Sequence, residues 1–83
     1  MALYMDIHHH VEGLRKEAVE HARARDLEVQ GKYGVDYKQY WFDEENGKVF
    51  CLVEAPSKEA ATDVHREAHG LVADEINEVR AGV

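Results

Sequence analysis

Apolar residues in this chain change their spacing from segment to segment, and the order of those changes leaves few folds open. From Ala2 to His10, Leu3, Met5 and Ile7 alternate with Tyr4, Asp6 and His8. That is the period of a strand with one apolar and one polar-aromatic face. From Leu14 to Val29 the period becomes that of an amphipathic helix. Leu14, Ala18 and Ala22 recur at i, i+4 with Val19 beside them, while Glu17, Glu20, Arg23 and Arg25 supply the wet side. Gly31 and Gly34 stop it. Val35 to Phe42 is rich in strand formers, and Asp43 to Gly47 is a turn whose Asn46-Gly47 pair suits positive φ. Lys48 to Ala55 returns as a mostly apolar strand. Pro56 ends it, and Ser57 is an N-cap for a helix from Lys58 to about His69, with Ala60, Ala61, Val64 and Ala68 as its buried stripe. Gly70 suits the end of that helix, and Ile76 to Arg80 is a short last strand.

The order β-α-β-β-α-β, with a hairpin between two βα units, predicts a single α+β domain over residues 1–83: a ferredoxin-like βαββαβ sandwich. Two helices should cover one face of a four-stranded antiparallel sheet in spatial order 4-1-3-2. Strand three is expected beside strand one and parallel to it. The second sheet face is left open, and an exposed apolar face of that size predicts a homodimer.

A chain of 83 residues allows one small core. Its net charge of −7 argues against nucleic acid and anionic membrane, which need a basic footprint, and favours cations. No apolar run approaches the roughly 20 residues that span a bilayer, and no signal peptide is evident. Cys51 is the single cysteine, so an intramolecular disulfide is excluded and a cytoplasmic location is expected.

Three consecutive histidines, His8, His9 and His10, close the first strand. Imidazole is the commonest protein ligand for transition metals, and Ni(II), Zn(II) and Cu(II) all accept it. Strand alternation places Asp6, His8 and His10 on one face and His9 on the other. His8 and His10 are therefore the first candidate ligands, with Asp6 as an oxygen ligand or orienting partner. His9 would belong to a second site or act across a dimer. Glu54, at the end of strand three, is expected near His8 and His10. Cys51 reads as a small core residue or a soft ligand. His65 and His69 form an i, i+4 pair on the second helix, a spacing that can chelate. The zinc-protease motif needs Glu directly after the first histidine, and Arg66 stands there. Tyr37 and Trp41 are expected on one strand face and Tyr40 on the other.

The block Val49-Phe50-Cys51-Leu52-Val53-Glu54-Ala55-Pro56-Ser57, the following helix with His65 and Gly70, and the ending Ile76-Asn77-Glu78-Val79 together resemble a family of small bacterial ferredoxin-like proteins. That family was long known only as a domain of unknown function and includes a nickel-binding member, which the start Met5-Asp6-Ile7-His8-His9-His10 resembles most. The resemblance implies a dimer that binds nickel through histidine-rich surface sites, for sequestration or buffering rather than catalysis. The alternative is a small dimeric enzyme of the cofactor-independent monooxygenase or isomerase type. Its cavity would lie over the open sheet face, with Tyr37 and Trp41 as walls and His8 as base. A ligand-sensing regulatory domain is a third reading.

Overall fold

Each change of period becomes an element in the structure, a computed structural model that describes residues 1–82. Strand β1 is Ala2–His8 and helix α1 is Lys16–Val29, tightening into a 3₁₀ turn at Gln30–Tyr33. Strands β2, Asp36–Asp43, and β3, Lys48–Ala55, form the hairpin. Helix α2 is Lys58–Ala68, and β4 is Glu75–Glu78. Ser57 caps α2 as its sequence suggests, its Oγ accepting from the Ala60 amide at 3.1 Å. Gly34, at φ +66°, turns the chain out of the 3₁₀ segment. In the hairpin turn only Gly47 takes positive φ. Asn46 instead bonds Asp43 through both its backbone and its side-chain nitrogen.

The sheet runs β2-β3-β1-β4, the expected order, with both helices on one face. Every neighbouring pair is antiparallel. This corrects the expected parallel orientation of β1 and β3. The crossover through α1 makes β1 and β2 run the same way, and the hairpin then sends β3 back against both. Leu3 therefore faces Glu54, and His8 faces Val49. Glu54 lies about 16 Å along the sheet from His8, at roughly 3.3 Å per residue. There it approaches Lys38 Nζ at 4.0 Å.

The helix-facing side of β1 is the polar one. Tyr4, Asp6 and His8 are buried, paired with Val53, Cys51 and Val49 of β3, while Leu3, Met5 and Ile7 line the open face. Around the polar residues the core is built from small side chains: Val53, Ala55, Ala61 and Val64 are wholly buried. A β-bulge at Lys38 then breaks the alternation of β2. Tyr37 faces inward beside Val53, but past the bulge Tyr40 pairs with inward Cys51 and Trp41 with outward Phe50. Tyr37 and Trp41 thus lie on opposite faces, not the same one.

The strand also ends earlier than its sequence suggests. His9 and His10 leave β1, and His10 adopts φ +55°. The Val11 amide bonds the Gly47 carbonyl at 2.9 Å, which draws the chain onto the hairpin turn. A Cβ at Gly47 would stand 3.2 Å from the Val11 carbonyl oxygen, so the contact needs glycine twice over.

Candidate metal centre

His65 stands at the middle of the structure, 2% exposed, on the inward face of α2. Its Nδ1 lies 2.9 Å from Asp26 Oδ1 on α1, and its Nε2 lies 3.0 Å from Asp6 Oδ2 on β1. A ring with a carboxylate at each nitrogen donates from both, so His65 is an imidazolium. Burial alone would lower its pKa. The hydrogen bonds to Asp26 and Asp6 outweigh that and raise it from 6.5 to about 11. For Asp6 and Asp26 burial opposes ionisation, but the hydrogen bonds from His65, with the nearby rings of His8 and His69 respectively, hold both below the usual carboxylate range.

Each carboxylate has further partners. Asp6 Oδ2 accepts from the Tyr37 hydroxyl at 2.9 Å. Burial, then the charge on Asp6, pushes the Tyr37 phenol far above its ordinary value, so it remains a donor. Asp26 Oδ1 also lies 3.1 Å from His69 Nε2. His69 Nδ1 accepts from the Leu71 amide at 3.1 Å, which places the proton on Nε2.

The remaining Asp6 oxygen is different. Oδ1 is buried and has no hydrogen-bond partner among the described residues. His8 Nε2 stands 3.4 Å away and makes no hydrogen bond to it. Asp6, His8, Cys51 and His65 are all buried, and each offers a ligand atom within 4.8 Å of the others. Asp26, His65 and His69 form a second set to the same limit. Metal–nitrogen bonds near 2.1 Å and metal–sulfur bonds near 2.3 Å separate two ligands of one ion by at most about 4.5 Å. That maximum holds only for ligands opposite each other; around a tetrahedral ion the spacing is about 3.4–3.7 Å, so atoms up to 4.8 Å apart must draw in by up to about 1 Å to share an ion. Two imidazoles, a carboxylate and a thiol are a donor set for a borderline transition metal. Burial raises the Cys51 thiol to about 11 against the opposing effect of His65, so it is protonated until a metal displaces the proton.

The histidine run is divided between two environments. His8 belongs to this buried cluster. His9 sits at the rim, its Nε2 paired with the Glu75 carboxylate and its amide bonded to Asp74 Oδ2. His10 is exposed and does not share a face with His8. Among the sequence candidates, then, Asp6, His8 and His65 are brought together, while His9, His10 and Glu54 lie elsewhere. Asp26 went unread in the sequence, although it occupies a position of the Val19-Ala22-Asp26-Val29 stripe that α1 turns inward. A carboxylate in an apolar stripe was the signal.

A cavity of about 150 Å³ opens onto this network. Ala18, Val19, Ala22 and Arg23 of α1 form one wall, and His8, Val49 and Cys51 of the sheet another. It lies on the helix side of the sheet, which corrects the expectation of a cavity over the open face with Trp41 as a wall.

Comparison with known proteins shows the family. No curated protein matches the sequence. A crystal structure of SCO4226 from Streptomyces coelicolor A3(2) superimposes with a TM-score of 0.92 at 38% sequence identity, covering 99% of this chain and 100% of that one. The family described as nickel responsive protein SCO4226-like matches residues 4–79. The chain belongs to the SCO4226-like family of nickel-responsive proteins.

Proposed function

We propose that this protein binds nickel for sequestration or buffering, and that Asp6, His8, Cys51 and His65 hold the ion. The unpartnered Asp6 Oδ1, buried with three other potential ligands, carries the reading. Charge supports it. Asp6, Asp26 and imidazolium His65 together carry one net negative charge, and a divalent ion that displaces the protons of His65 and Cys51 leaves that charge unchanged, so binding buries no additional net charge. The donor set also suits Zn(II) and Cu(II), and the choice of nickel follows from the family. His9 and His10, with Asp74 and Glu75 beside them, form a second and weaker site at the rim.

The working form is a cytoplasmic homodimer. Leu3, Met5, Ile7, Phe50 and Leu52 line the open face with Trp41, which is 43% exposed, and a second subunit would cover them. The buried free thiol of Cys51 suits a reducing compartment. Among the described residues no helix is long and apolar enough to cross a membrane.

Calorimetric titration with Ni(II) tests the assignment. Substituting His8→Ala or Cys51→Ser should abolish the tight phase, and His10→Ala should leave it. Undiminished binding in both His8→Ala and Cys51→Ser would remove the buried cluster as the site.

A further inference from the structure

Among the described residues, the two sets of potential metal ligands share one member, His65. It serves them through opposite ring nitrogens, with Nε2 towards Asp6 and Nδ1 towards Asp26. The ion proposed above uses the Nε2 side alone. On the other side, Asp26 Oδ1 lies 2.9 Å from His65 Nδ1 and 3.1 Å from His69 Nε2. Two nitrogen or oxygen ligands of a tetrahedral ion stand about 3.4 Å apart. The Asp26 contacts are therefore within a few tenths of an ångström of that spacing, closer to it than the first set is. Asp26, His65 and His69 line the cavity, as do His8 and Cys51 of the first set, so both sets border one space of about 150 Å³.

Charge favours a second ion. With one divalent ion on Asp6, His8, Cys51 and His65 Nε2, the buried groups keep one net negative charge. Glu12 and Arg23, the remaining charged residues of the cavity wall, offset each other. A second divalent ion that displaces the last ring proton of His65 to solvent brings the buried charge to zero. A cation on Nε2 acidifies Nδ1, which makes that proton easier to displace. His69 keeps its proton but moves it from Nε2 to Nδ1, giving up the bond from the Leu71 amide. We infer that Asp26, His65 and His69 hold a second divalent transition-metal ion, with His65 bridging the two ions as an imidazolate. The bridge rests on the proposed site at Asp6, His8, Cys51 and His65.

Zn(II), which is redox-inert and suits both sets, is the probe. A His9→Ala/His10→Ala variant, which lacks the rim histidines, would be stripped with chelator and titrated while the histidine ring nitrogens are followed by NMR. Saturation should come at two ions per chain, with metal on both His65 nitrogens, no proton on either, and the His69 proton moved to Nδ1. Adding His69→Ala should reduce uptake from two ions to one and leave the Nδ1 proton of His65 in place. Saturation with that proton retained while Nε2 carries metal would overturn the bridge and leave the first site standing. So would a His69→Ala protein that still loses it. Zn(II) that never displaces the Nε2 proton would instead remove the first site, and the bridge with it.

Discussion

His65 Nε2 and Asp6 Oδ2 meet at 3.0 Å in the centre of the protein, joining the second helix to the first strand through a charged hydrogen bond. With the matching contact to Asp26 at 2.9 Å, it places an ion triad where a small domain would ordinarily place a large apolar side chain.

The triad makes stability depend on pH from both sides. The folded pKa of His65, about 11, lies above its ordinary 6.5. Its contribution is complete below about 6.5 and is lost as pH rises towards about 11. Asp6 and Asp26 are shifted the other way, so their contribution is complete above the ordinary carboxylate range and is lost as pH falls through their lowered values. Urea denaturation midpoints measured across pH should be highest between about 4.5 and 6.5 and decline steadily on the alkaline side. A midpoint that is flat from neutrality to pH 10 would contradict an imidazolium at His65.

Removing the histidine alone should be severe. His65→Ala leaves two buried carboxylates without their shared cation, a loss of roughly 3–5 kcal/mol. A triple replacement of Asp6, Asp26 and His65 by leucine removes the charges together and should be markedly less destabilised than the single variant, since an apolar substitute for a complete buried ion group is often nearly neutral. Thermal melts of the two variants compare these costs directly.

Metal uptake should release protons. His65 and Cys51 both hold a proton at neutral pH, and a metal ligand must give it up. Binding at the buried cluster should therefore release about two protons per ion near pH 7.5, read from titration heats in buffers of different ionisation enthalpy. Release close to zero would instead point to a site away from His65 and Cys51, such as the rim pair His9 and His10.

The open sheet face can be tested without touching the triad. Phe50 faces outward from β3 beside Trp41, so Phe50→Glu places a charge in the middle of the proposed dimer contact. Sedimentation should show the native protein as a dimer at micromolar concentration and the variant as a folded monomer. A native protein that sediments as a monomer would refute the dimer.

Much of this architecture is legible in the sequence. The period changes locate all the main elements, and the Ser57 cap and Gly47 turn appear where the residues ask for them. Asp6, His8 and His65 are also readable, two by strand alternation and one by its place beside the α2 stripe. Other features depend on tertiary contacts that no local pattern records. The polar face of β1 turns inward because Asp26 and His65 arrive from two helices to satisfy it. His10 leaves the strand because a backbone bond to Gly47, far along the chain, bends the segment. The position of Glu54, opposite Leu3 and away from His8, follows from strand direction, which the hairpin between β2 and β3 determines.

The bulge at Lys38 changes the parity of β2. Before it the inward residue is odd-numbered, Tyr37; after it the inward residues are even-numbered, Tyr40 and Phe42, and Trp41 turns outward. The chain thus uses one residue of length as a spacer, keeping the Tyr37 hydroxyl on Asp6 while presenting its only tryptophan on the opposite side of the sheet. Without the bulge, Lys38 would carry the alternation on and turn Tyr40 outward and Trp41 inward, so that position sets the phase of the strand rather than a contact.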